Sequence, residues 1–397
     1  MRTDVAIIGA GPAGLLLAHL LAQDGIESIV VEARTQEYVA ARIRAGILES
    51  SSVDLLRAVG LGAGIEAHGD EHRGIYLQWP GRAGGGGGRH HLDFVDLVGR
   101  TVWVYGQTQL QADLVAASEA AGRAVFYDTS SVALHDLESD HPSVTFTDAD
   151  GTAQRIEALA VAGCDGSFGP SRAAMPDDKR DTWERVYPYS WLGVLADVAP
   201  STDELIYAWH PDGFGMHSMR SATVSRLYLQ VPNGTDAADW SDDRIWTALA
   251  TRLGHGQDGW TLTPGPITDK SVLPMRSFVQ SPMRHGRLFL AGDAAHTVPP
   301  TGAKGLNLAI ADVALLAPAL GRLVRKNDLA LADAYSDTAL RRVWRCEHFS
   351  WWMTTMLHIS GDPFDAQLQL SQLRWVTSSA AGAAGLAENY AGLPIGF

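Results

Sequence analysis

Only two cysteines, Cys164 and Cys346, occur in 397 residues. That is too few for a disulfide framework or a cysteine-rich metal site, so no metal centre is expected and the usage fits a reducing cytosol. Positive charge is also scarce: 31 lysines and arginines against 45 acids leave a formal charge of −14. With no basic stripe, nucleic acid and anionic membrane are poor partners, which still leaves room for a local basic pocket that takes a small anion. Long apolar runs are nearly missing. The stretch from Val5 to Gln23 carries no formal charge, but its glycines, Pro12, His19 and Gln23 divide it into strand, turn and helix rather than a lipid span. Arg2 ahead of it is followed by Asp4 and by no small-residue cleavage site, which argues against a signal peptide. Length and composition lead us to expect a cytoplasmic globular protein of two or three subdomains.

What is present begins with that same stretch. The apolar run Val5-Ala6-Ile7-Ile8 ends in Gly9-Ala10-Gly11-Pro12-Ala13-Gly14 and opens into a leucine-rich helix. In such a Gly-x-Gly-x-x-Gly turn the first glycine makes the tight bend, and the second lets backbone N–H groups approach a pyrophosphate. The third allows close helix–strand packing, and the helix N-terminus favours the anion. Glu32 closes the next strand, Ser28 to Val31, where a carboxylate can accept hydrogen bonds from a ribose. Nucleotide binding is the expectation.

Further on, Val39 to Val59 reads as one helix with Arg42 and Arg44 near its start; these could neutralise phosphate or be solvated surface. Ile75–Trp79 and His91–Val95 read as a hairpin whose tip, Pro80 to Arg89, contains five consecutive glycines, Gly84 to Gly88, and no phosphate-loop spacing. A strand at Thr101–Gln107 leads to a helix at Leu110–Gly122. Strands follow near Ala124–Tyr127, Val132–Leu137, Ser143–Phe146 and Ala158–Ala162. Alternation of strand and helix followed by an antiparallel run predicts a mixed sheet built onto a Rossmann-like core.

Two later turns carry more chemistry. One is Gly163-Cys164-Asp165-Gly166, at the end of a strand, which alone is usually only a turn. The other is Gly292-Asp293, delivered by the apolar strand Leu288–Ala291; Asp293 there could bind a sugar-like hydroxyl chain. Pro299-Pro300-Thr301-Gly302-Ala303-Lys304-Gly305-Leu306-Asn307 then opens a helix at Leu306–Leu320, whose first N–H groups can hold an anionic ring edge or a carbonyl. Between the two turns, Ser218 and Arg220 fall on one side of a strand, because side chains alternate with period two, and Tyr228 sits on the next strand. An arginine fork with hydroxyls is a good carboxylate receptor, and a structural ion pair is the competing reading.

The glycine loop with its terminal Glu32, the Asp165-Gly166 turn and the Gly292-Asp293 strand occur in the order found in the single-component FAD-dependent aromatic hydroxylases. The chain resembles that family from the first strand to Glu388-Asn389-Tyr390-Ala391-Gly392-Leu393-Pro394, most closely its members that act on 4-hydroxybenzoate. The poly-glycine tip is the largest segment outside the pattern. The resemblance implies an α/β fold: a Rossmann-like FAD-binding domain over residues 1–181, with the 72–100 hairpin serving the substrate side. An inserted antiparallel substrate-binding sheet over 182–285 and a flavin-loop and C-terminal helical region over 286–397 would follow. It implies FAD, with Gly9, Gly11, Gly14 and Glu32 on the ADP half. Arg44 and Gln107 would flank the pyrophosphate and ribityl chain, with Arg42 and the Asp165 turn nearby. Asp293 would take ribityl hydroxyls, and the Lys304, Gly305, Leu306 and Asn307 loop would face the isoalloxazine.

For substrate, the resemblance places the benzoate carboxylate on Ser218, Arg220 and Tyr228. The 4-hydroxyl would lie against Tyr207, with Tyr390 behind it and the Pro300 carbonyl and Thr301 alongside. His72 would be the solvent-side proton acceptor, although by itself it reads as a solvated polar residue. Arg226 matches a residue that positions the flavin. The implied reaction uses NADH or NADPH and O2, through a flavin C4a-hydroperoxide, to convert 4-hydroxybenzoate to 3,4-dihydroxybenzoate. No second Rossmann motif serves the nicotinamide; Tyr38, Arg44, Arg172 and Arg276 remain to hold it. Ala33-Arg34 stands where NADPH-preferring members carry a basic residue and an amide, and Phe168 replaces a histidine. Loss of a cation there points to NADH being used at least comparably. The aromatic and methionine stripe from Leu340 to Leu357 reads as core or subunit interface, and the resemblance implies a homodimer. Two other readings are a hydroxylase of another para-substituted benzoate, such as 4-aminobenzoate, and a non-catalytic nucleotide-binding protein.

Overall fold

A computed structural model describes residues 1–41, 46–81, 87–254 and 259–396. Arg42, Arg44 and most of the glycine run at the hairpin tip lie outside the described residues.

The first strand, Val5–Ile8, runs at the centre of a six-stranded sheet between Ser28–Val31 and Ala160–Gly163. Ala124–Phe126 lies beyond the former and Leu288–Leu290 beyond the latter, all of these parallel, and Arg284–His285 adds an antiparallel edge. Every residue of Val5–Ile8 is buried, as a central parallel strand covered on both faces requires. The helix Pro12–Gln23 and the long helix Gly305–Lys326 share the core that covers this sheet. Gly305–Lys326 is the one helix among the described residues that is long and apolar enough to cross a membrane, and it is packed largely inside the protein.

A second sheet has eight strands. Its longest strands, Asp181–Ala196 and Ile267–Ser281, pair antiparallel with a register shift between Val186 and Ser190. Pro188 lies in that shift, where its missing N–H costs no ladder hydrogen bond. Val224–Pro232, Gly215–Ser221 and Leu205–Ala208 continue the sheet, and the hairpin Gly74–Trp79/Gly88–Asp93 completes it through a parallel pairing with Leu205–Ala208. The N-terminal part of the chain therefore donates an edge to this sheet. Period-two alternation then separates two cores: Leu205 and Tyr207 pack with the C-terminal helices, whereas Ile206 and Ala208 pack with the helix Asp242–Leu253.

The expected Val39–Val59 helix is not continuous. Gln36–Ala41 and Ser50–Ala58 are helical, but Ile47–Glu49 is a strand paired antiparallel with Val102–Val104, which buries Leu48 and Glu49. The tertiary pairing overrides local helical pattern here. Likewise the second hairpin strand ends at Asp93, not Val95, because the Asp93 carboxylate accepts from Asp96 N and caps a short helix beginning at Phe94.

Candidate active site

The glycine loop is shaped by close approach. Gly9 has φ +101°, and a Cβ there would lie 2.4 Å from the Cys164 carbonyl oxygen; a Cβ on Gly14 would lie 1.9 Å from the Gly9 oxygen. A Cβ on Gly11 would meet nothing within 4 Å. Gly11 is the N-cap of Pro12–Gln23 and no side chain caps that helix, so the N–H groups of its first turn are left to an anion that the dipole favours. The Glu32 carboxylate accepts from Ala10 N at 2.7 Å and Arg34 N at 2.9 Å, which fixes its position while leaving lone pairs for ribose hydroxyls. Gln111, buried on the helix Gln107–Ala120, donates to the Ala10 carbonyl at 2.8 Å. A bare helix N-terminus, an open Gly11 and an oriented acid fit the dinucleotide that the sequence motif implies.

Asp165 and Asp293 are placed differently from one another. Asp165 is turned inward: one oxygen accepts from Ser171 N at 2.8 Å, the other is buried without a hydrogen-bond partner, and burial raises its pKa. Asp293 is half-buried on the single turn Gly292–Ala294. That turn is fastened from below by Asp312, whose Oδ2 accepts from Gly292 N at 2.8 Å and pairs with His296 Nε2 at 2.6 Å. Burial opposes a charge on His296, but the Asp312 carboxylate outweighs it and holds the His296 pKa above its ordinary value.

Around the following loop, side chains are already engaged. Lys304 is buried and donates to Glu49 Oε1 at 2.7 Å and to the Tyr390 carbonyl at 2.8 Å; the other Glu49 oxygen takes Arg342 at 2.7 Å. Arg342 also donates to the Leu393 and Pro394 carbonyls. The Asn307 amide bonds Ile47 O, Ala303 O, Glu49 N and Ser52 Oγ. Thr301 Oγ1 is paired with Thr354 Oγ1 at 2.8 Å. What Lys304, Gly305, Leu306 and Asn307 can offer a ring edge is therefore backbone, at the N-terminus of Gly305–Lys326. Glu49, Arg342, Gln111 and Asp312 are supports that sequence reasoning missed; no spacing signal links partners some 255 or 293 residues apart.

One chamber collects the expected substrate groups. Tyr207, Ser218, Arg220, Arg226, Tyr228 and Pro300 line it, together with Trp191, Met216 and Ala303. Tyr207 and Tyr390 are joined by a 2.7 Å hydroxyl–hydroxyl hydrogen bond, both buried, and burial raises both pKa values, so both hydroxyls are neutral at working pH. Arg220 has no carboxylate partner among the described residues; burial first, and the Arg226 charge second, lower its pKa. Ser218 Oγ donates to the Arg226 carbonyl at 2.9 Å, and Arg226 lies over the Tyr228 ring. His72 is buried, not solvated: its Nε2 pairs with the exposed Asp70 carboxylate at 3.1 Å and its Nδ1 has no hydrogen-bond partner among the described residues. Pairing of the strand Asp70–His72 with Val102–Val104 takes it inside.

The expected nicotinamide groups among the described residues fall in two places, Arg34 with Tyr38 and Arg172 near Arg276. Arg34 and Tyr38 are exposed and lie together, the guanidinium 5.4 Å from the ring centre. Arg172 is committed to the Asp293 and Ala294 carbonyls and stacks on Phe278. Arg276 faces Glu184 at 3.8 Å and Phe168, which is 93% exposed.

Comparison with known proteins gives the family to which this chain belongs. The family model described as FAD binding domain matches residues 2–350. The chain belongs to this family of FAD-binding enzymes, the flavin monooxygenases that hydroxylate aromatic compounds. Within it, the chain is 49% identical over 397 residues to p-hydroxybenzoate hydroxylase of Acinetobacter baylyi, covering 99% of this chain and 96% of that one. It is 26% identical to a probable NADH-specific resorcinol 4-hydroxylase of Rhodococcus jostii, over 84% of this chain and 61% of that one. The crystal structure of p-nitrophenol 4-monooxygenase from Pseudomonas putida superposes with a TM-score of 0.82 at 18% identity, covering 98% and 99% of the two chains, and so shares the fold.

Proposed function

We propose that the protein hydroxylates 4-hydroxybenzoate at carbon 3, using FAD, a reduced nicotinamide and O2, and releases 3,4-dihydroxybenzoate. The observation that carries this is a half-buried guanidinium, with no carboxylate partner among the described residues, in the same chamber as Tyr207, whose hydroxyl is bonded to that of Tyr390. Arg220 and Tyr228 bind the carboxylate, joined by Ser218 once its hydroxyl turns away from the Arg226 carbonyl. Tyr207 meets the phenol oxygen. Because its hydroxyl is neutral, it donates to a phenolate and can pass the phenol's proton to Tyr390. His72, between the interior and exposed Asp70, is the outward acceptor. A phenolate enriches the carbon beside it, which is the atom that must accept an electrophilic oxygen. Bound FAD supplies the exchange of electrons with the nicotinamide and the activation of O2. Gly9, Gly11, Gly14 and Glu32 would hold its ADP half, Gln107 its middle, Asp293 its ribityl chain and the Gly305–Asn307 backbone its ring edge.

Ala33, which carries no charge, and the engagement of Arg172 with the Asp293 and Ala294 carbonyls support use of NADH at least as well as NADPH. Exposed Trp344, Trp351, Phe364, Leu368 and Trp375 on the C-terminal helices support a homodimer. The test is oxygen uptake by FAD-loaded protein with NADH. 4-Hydroxybenzoate should stimulate it and yield 3,4-dihydroxybenzoate mole for mole. Faster coupled turnover of 4-aminobenzoate would redirect the assignment, and a large kinetic preference for NADPH would overturn the NADH reading.

A further inference from the structure

Arg220 extends from the strand Gly215–Ser221 to the start of the helix Gln107–Ala120, where its Nη2 donates to Thr108 Oγ1 at 3.0 Å. Gly106, the N-cap of that helix, lies against the flat of the guanidinium: a Cβ at Gly106 would fall 2.3 Å from Nη1, 2.5 Å from Cζ and 2.6 Å from Nη2. Gly106 has φ −57°, a value any residue adopts, so its lack of a side chain serves the close approach and not the backbone. Gly106 N in turn donates to Gln109 Oε1 at 3.0 Å, which holds the turn rigid. A half-buried cation is thus seated at the positive end of a helix dipole and beside a second cation, Arg226. That arrangement is unfavourable until an anion joins it.

From this we propose that Thr108 and Gly106 are positioning residues for Arg220: they aim its remaining donors into the chamber and so set the affinity for a substrate's carboxylate. The inference rests on the reading that the chamber takes a 4-hydroxybenzoate-like acid. A guanidinium has five N–H donors; Thr108 takes one and fixes the plane, which leaves the others for a carboxylate without repositioning. The helix N-terminus adds to the same field, so the receptor is made jointly by the substrate sheet and by the helix whose Gln111 grips the glycine loop. The chamber has about 50 Å³ of room, well short of a benzene-sized cavity, so ligand entry must displace its lining. Holding Arg220 by a backbone-close seat keeps that displacement away from the carboxylate end.

The experiment measures calorimetric Kd for 4-hydroxybenzoate and for uncharged 4-hydroxybenzamide on FAD-loaded wild type, Thr108→Val, Thr108→Ser and Gly106→Ala, with kcat and KM alongside. Thr108→Val should weaken the acid by roughly tenfold, the scale of one hydrogen bond to a charged group, and the amide by less than about twofold. KM should rise with the acid's Kd while kcat changes little, Thr108→Ser should restore both, and Gly106→Ala should weaken the acid at least as much as Thr108→Val. Unchanged acid affinity in Thr108→Val, or equal loss of acid and amide, would overturn the positioning role alone. Wild type that binds neither ligand would overturn the substrate reading and this inference with it.

Discussion

The dinucleotide cradle and the substrate chamber are made of different material. Around Gly9, Gly11 and Gly14 the chain presents backbone, and what matters is the absence of side chains and the direction of a helix. Around Arg220 and Tyr207 it presents side chains from separate strands and from the C-terminal helix Ala380–Ala391, aimed by burial and by partners such as Thr108 and Tyr390. A cradle of the first kind follows from a local run of residues, whereas a chamber of the second kind exists only once a sheet and a helical layer have closed on each other. Damage to the cradle should therefore remove the cofactor outright, and damage to the chamber should remove one interaction at a time.

The sharpest break is Gly14→Ala. A Cβ 1.9 Å from the Gly9 oxygen must push helix from strand, and we expect purified protein without yellow flavin absorbance and a melting temperature lowered by an overpacking cost of about 1–3 kcal/mol or more. Retention of stoichiometric FAD would show that the cradle tolerates side chains after all. In the chamber, Arg220→Ala should raise KM for 4-hydroxybenzoate about 100- to 1000-fold, the loss of two charge-assisted hydrogen bonds, with FAD content unchanged. Next, Tyr207→Phe should cut the rate of 3,4-dihydroxybenzoate formation by roughly 100-fold, the lower end for general acid–base assistance, with a much smaller change in Kd. Product analysis separates this from simple loss of binding.

The smallest effect tests a group outside both regions. Burial pushes the Glu347 carboxyl up to about 7, with a hydrogen bond from Ser277 opposing the rise. A raised acid is stable as its protonated form, so its share of stability is full below the unfolded carboxyl range and is lost as pH rises through about 7. Glu347→Gln removes the charged form and should stabilise the protein by about 1–3 kcal/mol at pH 8 relative to wild type, and by little at pH 5. Equal melting shifts at the two pH values would contradict the raised pKa.

Much of the fold was readable because parallel strands, hairpins and amphipathic helices carry local periodicity. The Gly-rich turn, the strand before Gly292-Asp293 and the helix opening near Gly305 all have such patterns, and they lie where the spacing predicts. The break at Ile47–Glu49 was not readable, since its cause is a partner strand at Val102–Val104. His72 shows the same limit: as a sequence it reads as solvated, and only pairing with Val102 buries it. The Glu49–Lys304–Arg342 cluster and the Asp312–His296 pair have no local signature at all.

By itself, then, the order of residues determined the dinucleotide cradle, because its properties are those of consecutive backbone groups ahead of a helix. It also nominated Ser218, Arg220, Tyr228, Tyr207 and Tyr390 through a resemblance, and left open whether they meet. Tertiary structure decided that Tyr207 and Tyr390 touch and that Arg220 is seated on Gly106 and Thr108, with no carboxylate partner among the described residues. It also turned the Lys304 and Asn307 side chains into supports whose backbone alone is left to face a ligand. The physical reason is that hydrogen bonds and charges act over a few ångströms in space, and only folding sets those distances between residues far apart in the chain.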